Sequence, residues 1–412
     1  MLNITAAWQA SHAHLKPYRN HLPLSQDQLQ RCPECGGVRA YYVVANLFLP
    51  SGIGINGVHV LYCHDCENFM IDPSIGGRDS GESSGITSVE GVDARLWSPL
   101  PTFLNVEPTT RCNFRCWYCI GRHMEQRDIS VASFAKILEH TPTVATIALV
   151  GEGEPLLHPD FFTMARTATA QNMKVVIISN GSLLNDENIK NLCESGVICI
   201  SISLDSTDPG QFSQSRINGS LSAVLRGISR LRTFRDQHGF QYPKIAVKGT
   251  LLDYSEHEML DIVELARAHG AEIFESFQSI NQKHSYVEIY PEEHRGQLAS
   301  AQRIAVTIGR DSEPARRMLR PFGDFFAEEG IEFGGSGRAN ILRCNCDEQY
   351  IYTLLSGDIT PCCQVKNIIN PEWNLLQQPL TEIFRNQHYE NLRFNLWNGL
   401  FPEYCAGCGK TT

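Results

Sequence analysis

Short apolar runs alternate with amphipathic stretches through the middle of the chain. A short run bounded by turn residues is typical of a buried strand, and a longer periodic stretch is typical of a helix. The predicted strands are Thr102–Val106, Ala145–Val150, Lys174–Ser179, Ile198–Leu204, Lys244–Leu251 and Glu272–Phe277. The predicted helices are Val131–His140, Asp160–Gln171, Asp186–Ser195, Leu221–His238 and Glu256–His269. We expect Asn185 and Ser255 as N-caps, and Gly196 and Gly270 as helix ends.

This alternation predicts right-handed βαβ units and a parallel sheet, either open or curled into a partial barrel. Ligands of such sheets lie at the carboxyl ends of the strands. The segment Asp72–Gly91, rich in Gly, Ser and Asp, indicates a linker, and the pattern becomes less regular beyond Arg310. We therefore predict an N-terminal module with its linker at 1–90, an α/β core at 91–310 and a smaller C-terminal domain at 311–412.

Composition and charge exclude several classes of protein. The chain has 412 residues, with 45 acidic against 35 basic side chains and a formal net charge of -10. Without a basic stripe, a nucleic-acid partner is not expected. Apolar runs such as Tyr41–Pro50 are too short to span a membrane, and the N-terminus lacks the pattern of a secretory signal. We expect a cytoplasmic protein without a membrane partner.

Cysteine is the unusual component, with 15 in the chain. Most lie in tight groups, which favours metal or cluster ligation in a reducing compartment over disulfides. The three groups are Cys32, Cys35, Cys63 and Cys66; Cys112, Cys116 and Cys119; and Cys344, Cys346, Cys362, Cys363, Cys405 and Cys408.

The second group follows directly on the first predicted strand of the βα region. Three thiolates so close in sequence can hold three irons of a cubane cluster, which leaves the fourth iron open to a small molecule. A zinc loop, or a cluster with a distant fourth cysteine, would use the same residues. The spacing alone leaves these alternatives open.

Neighbouring residues add a family resemblance. The spacing of Cys112, Cys116 and Cys119, with Tyr118 before the last cysteine, resembles the signature of the radical S-adenosylmethionine (SAM) superfamily. The segment from Gly151 to Asp160 resembles its glycine–glutamate–proline segment, with Glu152 between the two glycines. The resemblance implies that Gly153, Glu154 and Pro155 receive the amino group of SAM.

The next strand ends extend the resemblance. Ser179 and Asn180 follow the third strand, and Ser203 and Asp205 the fourth, where relatives contact the ribose and the methionyl part of SAM. Arg216 lies in a segment that resembles the one whose arginine faces the methionyl carboxylate. Simple turn chemistry for Ser179 and Asn180, and a surface position for Arg216, are the alternatives.

The family resemblance implies a partial (βα)6 radical SAM barrel and an enzyme of the oxidoreductase or maturase type. A donor such as flavodoxin or ferredoxin would reduce a 4Fe–4S cluster, and SAM would be cleaved to methionine and a 5′-deoxyadenosyl radical that removes hydrogen from a substrate. No catalytic side chain can be named. A peptide or natural-product precursor is the preferred substrate. The alternatives are dehydrogenation or deoxygenation of a sugar or aminocyclitol, and a non-enzymatic iron–sulfur redox sensor or electron carrier.

The third cysteine group resembles the twitch domain, a truncated SPASM domain. The resemblance implies an auxiliary 4Fe–4S cluster on Cys346, Cys362, Cys405 and Cys408. Cys344 could replace Cys346, and Cys363 could replace Cys362. A structural zinc site is the alternative.

The first group resembles a zinc ribbon, with short strands expected at Ala40–Leu49 and Val58–Tyr62. Cys32, Cys35, Cys63 and Cys66 would form a closed four-thiolate site, which is usually structural zinc. An iron–sulfur centre at the same four cysteines remains the alternative.

Overall fold

The computed structural model describes most of the central and C-terminal chain. The described residues are 101–280, 288–296, 301–331 and 350–384, with the shorter stretches 2–3, 40–48, 54–63, 69–71, 386, 388–389, 392 and 402–405. The chain divides into two compact units. One comprises Met1–Leu100, Leu342–Asp347 and Thr381–Pro402, and the other comprises Pro101–Ile341, Glu348–Leu380 and Glu403–Thr412.

The described part of the first unit contains an antiparallel sheet. Its strands are β1 (Leu2–Asn3), β2 (Ala40–Phe48), β3 (Gly54–Cys63) and β4 (Phe69–Ile71), in the order β1-β4-β3-β2. Both strands predicted in this region are present, and they pair with each other. Cys32, Cys35 and Cys66 lie outside the described residues, as does the side chain of Cys63. The zinc ribbon therefore stays a prediction.

The second unit is built on a parallel sheet. Its central strands are β5 (Phe103–Val106), β6 (Thr146–Leu149), β7 (Lys174–Ser179), β8 (Val197–Ser203), β9 (Lys244–Leu251) and β10 (Ile273–Ser279). Each pairs in parallel with the next. The six predicted strands are confirmed. They form here because runs of consecutive apolar residues suit strands that are covered on both faces.

Later segments extend this sheet at both edges. Strand β11 (Arg320–Pro321) pairs in parallel with β10, and β12 (Tyr350–Thr353) pairs in parallel with β5. Strand β13 (Ile359–Thr360) pairs antiparallel with β12. Residues of β5 to β10 and β12 all line the same cavity. The sheet therefore curls around this cavity, in agreement with the expected partial barrel.

Six helices connect the central strands. They are α1 (Val131–Glu139), α2 (Phe161–Ala170), α3 (Asp186–Glu194), α4 (Pro209–Ser215), α5 (Leu221–Gln237) and α6 (Met259–His269). All five predicted helices are present. Helix α4 was not predicted, although Asp208 and Pro209 provide its N-cap and first-turn proline.

The predicted N-cap at Asn185 and the predicted helix end at Gly270 are confirmed, and the predicted N-cap at Ser255 is wrong. The side chain of Asn185 accepts from the N–H of Asn188, and Gly270 ends α6 with a φ of 113°. Ser255 does not cap α6. Its hydroxyl instead accepts from the N–H of Leu252 at 3.1 Å and closes a short 3-10 turn, so the helix begins after Glu258.

Further helices follow the last central strand. They are α7 (Glu292–Arg295), α8 (Ala301–Met318), α9 (Phe322–Glu328) and α10 (Leu380–Phe384). Helix α8 runs across position 310, where we expected the core to end, so the division at 310 and 311 does not coincide with the end of an element. None of the described helices has both the length and the apolar composition needed to cross a lipid bilayer.

Phenylalanines of α9 close one end of the curled sheet. Phe325 and Phe326 pack in one buried cluster with Phe103 and Ile273, the first residues of β5 and β10. The rings of Phe103 and Phe326 lie 6.1 Å apart. The apolar base of the cavity therefore lies at the amino ends of the strands, and its polar residues lie towards the carboxyl ends.

Candidate active site

Three cysteines are carried by the loop after β5. Burial raises the pKa of Cys112, Cys116 and Cys119, that of Cys116 to about 11. The thiols also act on one another, since Cys112 raises the pKa of Cys116 and Cys116 raises that of Cys119. As free thiols they are protonated at neutral pH, and a bound cation would be needed to hold them as thiolates.

The glycine–glutamate–proline turn after β6 is docked on this loop. The N–H of Gly153 donates to the carbonyl of Thr109 at 3.2 Å, and the N–H of Glu154 donates to the carbonyl of Arg111 at 2.8 Å. A Cβ atom on Gly153 would stand 2.4 Å from the oxygen of Thr109. Only glycine allows this approach, which fixes the turn beside the cysteines.

The Glu154 carboxylate is buried against the end of β7. It accepts from the hydroxyl of Ser179 at 2.8 Å, from the N–H of Asn180 at 2.7 Å and from the N–H of Leu156 at 3.2 Å. Burial raises the pKa of Glu154 to about 7, against the lowering effect of these bonds. A carboxylate has about four acceptor sites, so one remains for a further donor. Pro155 begins the short 3-10 turn that follows.

Asn180 connects the end of β7 to the cysteine loop. Its Nδ2 donates to Oδ1 of Asn113 at 2.9 Å and lies 3.9 Å from Sγ of Cys112. Its Oδ1 accepts from the N–H of Ser182 at 2.9 Å. Ser179 and Asn180 therefore make more than local turn contacts, because they join two motifs that are far apart in the sequence.

Asp205 and Arg216 form a buried, bidentate ion pair. Nε of Arg216 lies 2.8 Å from Oδ2 of Asp205, and Nη2 lies 2.9 Å from Oδ1. Asp205 also accepts from the hydroxyl of Tyr118 and from the N–H of Thr250. Arg216 is 7% exposed, so the surface alternative is wrong. This pair brings the cysteine loop, β8 and β9 together.

Aromatic side chains cover the cysteine loop. Trp117 is buried and stacks on His294 at 4.4 Å between ring centroids, and it meets Tyr290 edge-on at 5.5 Å. Leu252 and Ile280 complete this apolar cluster. These contacts bury Trp117, which lies between Cys116 and Cys119 in the loop.

The curled sheet encloses a cavity of about 340 Å³. Ser203 is the only predicted cofactor-binding residue that lines it among the described residues. The remaining polar and ionisable residues that line the cavity are Asn105, Glu152, Ser201, Lys248, Thr250, Glu275, Gln278, Tyr352, Cys363 and Gln364. The cavity is thus apolar at its base and polar on its walls.

A buried cluster that sequence reasoning missed lies beside the turn. Nζ of Lys366 lies 2.9 Å from Oε1 of Glu152, 3.5 Å from Oε1 of Glu107 and 2.7 Å from the hydroxyl of Tyr352. The other carboxylate oxygen of Glu152 accepts from Cys119 at 3.4 Å. Lys366 therefore connects the C-terminal segment to the cysteine loop through Glu152.

Little in the sequence points to this cluster. Glu107 directly follows β5, which is the one local signal. Tyr352 donates to Glu107 at 3.1 Å across 245 positions of sequence, so the contact depends on β12 joining the sheet.

The predicted auxiliary ligands are only partly described. Cys362 and Cys405 are buried, and Cys363 is half-buried and lines the cavity. Cys344, Cys346 and Cys408 lie outside the described residues. The choice among these cysteines therefore stays a prediction.

Cys112, Cys116 and Cys119 have the residue type that an iron–sulfur cluster needs. Among the described residues no three metal-binding side chains are close enough to hold a metal ion as they stand. The three cysteines are carried by one loop, a glycine turn is fixed against that loop, and polar strand ends surround a cavity. A parallel sheet with these motifs at its carboxyl ends is what the resemblance to the radical SAM superfamily implies. Residues 106–274 match the family model described as Radical SAM superfamily. The matched residues, from the end of β5 to the start of β10, are therefore a radical SAM domain.

Curated relatives share parts of this chain. It is 32% identical over 170 residues to the tungsten-containing aldehyde ferredoxin oxidoreductase cofactor-modifying protein of Pyrococcus furiosus. The matched residues make up 40% of this chain and 47% of that protein. It is 32% identical over 175 residues to the GTP 3′,8-cyclase of Pseudomonas putida, a match that covers 40% of this chain and 49% of the cyclase. The chain spans about half the length of these two relatives. It is 29% identical over 327 residues to the AdoMet-dependent heme synthase of Methanosarcina barkeri, a match that covers 75% of this chain and 91% of the synthase.

Solved structures share the fold. SuiB of Streptococcus suis bound to its precursor peptide SuiA is 16% identical, with a TM-score of 0.55 over 76% of this chain and 70% of that one. The SAM-bound form of SuiB has a TM-score of 0.54 at 17% identity, over 76% and 71%. At this identity the likeness supports the fold alone.

Proposed function

We propose that this chain binds a 4Fe–4S cluster through Cys112, Cys116 and Cys119, cleaves SAM reductively and removes hydrogen from a substrate in the cavity. The observation that carries the proposal is the docking of the glycine–glutamate–proline turn on the cysteine loop, through the bonds of Gly153 and Glu154 to that loop. This arrangement gives an open iron a neighbouring site for a small molecule.

The cluster and SAM, when bound, supply the one-electron chemistry and the hydrogen-abstracting group. The protein holds and orients them. Residues proposed to bind SAM are Tyr118, Gly153, Glu154, Pro155, Ser179, Asn180, Ser203, Asp205 and Arg216. Two of the five N–H donors of Arg216 are used by Asp205, so the others are available to a carboxylate. Glu154 keeps one acceptor site for an ammonium group.

The preferred substrate is a peptide or natural-product precursor. SuiB, which shares this fold, binds a precursor peptide. A sugar or aminocyclitol is the second candidate, because a cavity of about 340 Å³ with polar walls suits a small polar molecule. A donor such as flavodoxin or ferredoxin would supply the electron, consistent with a cytoplasmic protein.

Two further metal centres are proposed from the sequence. An auxiliary 4Fe–4S cluster would use Cys346, Cys362, Cys405 and Cys408. The burial of Cys362, beside a Cys363 that lines the cavity, supports Cys362 as the ligand. A structural zinc ion would use Cys32, Cys35, Cys63 and Cys66.

The test is anaerobic reconstitution followed by addition of dithionite and SAM. We expect 5′-deoxyadenosine from the wild type and none when Cys112, Cys116 and Cys119 are all replaced by Ala. Cys193→Ala is the matched control, because this buried thiol lies on α3 away from the loop. A fully loaded, reducible cluster that yields no 5′-deoxyadenosine with candidate substrates would instead favour a redox sensor or electron carrier.

A further inference from the structure

An ion pair inside the cavity has no part in the proposed cofactor site. Lys248 on β9 and Glu275 on β10 both line the cavity. Nζ of Lys248 lies 3.1 Å from Oε1 of Glu275, and the two side chains are 18% and 15% exposed. Inward-facing positions of small barrels are usually filled by apolar side chains. A charged pair at such a position is unusual, because burying charged groups is unfavourable.

One oxygen of this pair is unsatisfied. Oε2 of Glu275 is buried and has no hydrogen-bond donor among the residues that the structure describes. Lys248 carries three N–H donors, and its ion pair engages one oxygen of Glu275. A buried acceptor without a donor is unfavourable, and a ligand that supplies a donor removes this cost. The pair therefore offers an acceptor and further donors to a group in the cavity.

The pair lies deeper in the cavity than Asp205, and Lys248 is level with Ser203 in the register of β8 and β9. Thr250 and Lys248 lie on the same face of β9, and the N–H of Thr250 donates to Asp205. Two residues along a strand span about 7 Å, so Lys248 is about that much further from the carboxyl end. Phe322 and Phe326 line the cavity below it.

The charges in the cavity indicate which group fits. Lys248 and Glu275 together are neutral. The third charged lining residue, Glu152, is paired with Lys366 at 2.9 Å. A fully charged ligand group at the pair would be buried without a counter-ion, which is costly. A neutral group with both a donor and an acceptor would satisfy Glu275 and Lys248 together.

We propose that the Lys248–Glu275 pair binds a neutral donor–acceptor group of the substrate, a carboxamide or a hydroxyl, and selects it over ammonium, carboxylate and hydrocarbon groups. This inference rests on the proposed function only in calling the bound molecule a substrate. Binding itself requires neither the cluster nor SAM, so it is tested separately.

The experiment measures binding of three-carbon probes to the full chain by ligand-observed NMR, without SAM. The probes are propanamide, 1-propanol, propylammonium and propionate. Hydrogen bonds to charged groups are strong enough to separate similar ligands by an order of magnitude. We expect propanamide and propanol to bind about tenfold more tightly than either charged probe.

Charge variants give a sharper result. Lys248→Met leaves a carboxylate alone, and preference should move to propylammonium. Glu275→Gln leaves an ammonium alone, and preference should move to propionate. The double variant Lys248→Met/Glu275→Gln is neutral, so it guards against misfolding caused by one unpaired charge, and it should bind propanamide and 1-propanol more weakly than the wild type does.

Glu272→Gln is the matched control. Glu272 directly precedes β10 and pairs with Arg232 at 3.1 Å and with Arg235, away from the cavity lining. This variant should keep the wild-type order of probes. Equal binding of all four probes by the wild type, a wild-type preference for a charged probe, or the same changes in Glu272→Gln would overturn the proposal.

The source of the group is resolved by competition against bound propanamide. One arm uses short peptides with a central Asn, Gln or Ser, and the other uses a free cyclitol. Displacement by the peptides assigns the group to a peptide side chain, and displacement by the cyclitol assigns it to a small polyol. If wild-type protein cleaves no SAM but binds propanamide as expected, the proposed function fails and the binding site stands.

Discussion

Two buried acid–base pairs in the same sheet differ in how much of their hydrogen-bonding capacity is used. Asp205 accepts four hydrogen bonds, two of them from Arg216. Glu275 is held by Lys248 through one oxygen, while its other oxygen is buried without a donor among the described residues. A saturated pair fixes the elements that it joins, whereas an open pair retains the capacity to bind a ligand.

The largest effect is expected at the saturated pair. Asp205→Asn removes the charge opposite buried Arg216, and an uncompensated buried charge costs about 4 kcal/mol. Urea denaturation of the metal-free protein measures this loss. Asp186→Asn is the control, because Asp186 is exposed and pairs with Arg230 at the surface. Equal losses in the two variants would contradict the assignment of Asp205 as a fixed point of the fold.

A second, smaller loss of stability is expected at the cluster that Lys366 forms with Glu107, Glu152 and Tyr352. Lys366→Met leaves Glu107 buried with Tyr352 as its side-chain donor, and Glu152 loses its ion pair. We expect the free energy of unfolding to fall by about 3 kcal/mol. Lys136→Met, which removes an exposed ion pair with Glu139 on α1, should leave it nearly unchanged. A small change at Lys366 would show that its cluster contributes little to the fold.

The pH dependence of stability tests the buried carboxyl of Glu154. Its pKa is raised by burial to about 7, so the folded state holds its proton where the unfolded state, with a pKa near the usual 4.5, has lost it. This contribution to stability is complete below pH 4.5 and is lost as the pH rises towards and through 7.

Between pH 5 and pH 7 the contribution to the unfolding free energy should fall by about 2 kcal/mol. Glu154→Gln should remove that part of the pH dependence. Chemical denaturation of the metal-free wild type and variant at several pH values measures the difference. The same slope in both proteins would show that another group is responsible.

The smallest change in stability is expected at the open pair. Lys248→Met/Glu275→Gln replaces both charges and leaves neither one buried alone, so the unfolding free energy should change by less than about 1 kcal/mol. Thermal or urea denaturation provides the measurement. A loss as large as that of Asp205→Asn would show that the two pairs are alike, and the comparison would fail.

Local patterns explain which parts of the fold and site were predictable. The strands β5 to β10 are short apolar runs, and the cysteine and glycine motifs lie directly at their carboxyl ends, so both follow from neighbours in sequence. Lys366 and Tyr352 could not be found this way, because they reach Glu107 only after β12 joins β5. The cap of α6 was missed because Ser255 uses its hydroxyl in the preceding turn.

The pairing of β12 with β5 has a consequence for synthesis of the chain. Strand β5 is made early, but its outer neighbour at Tyr350–Thr353 leaves the ribosome more than two hundred residues later. Until then one edge of β5 has unpaired N–H and carbonyl groups beside the cysteine loop, and such edges promote association between chains. A nascent chain that stalls before Tyr350 should therefore depend on chaperones that cover this edge.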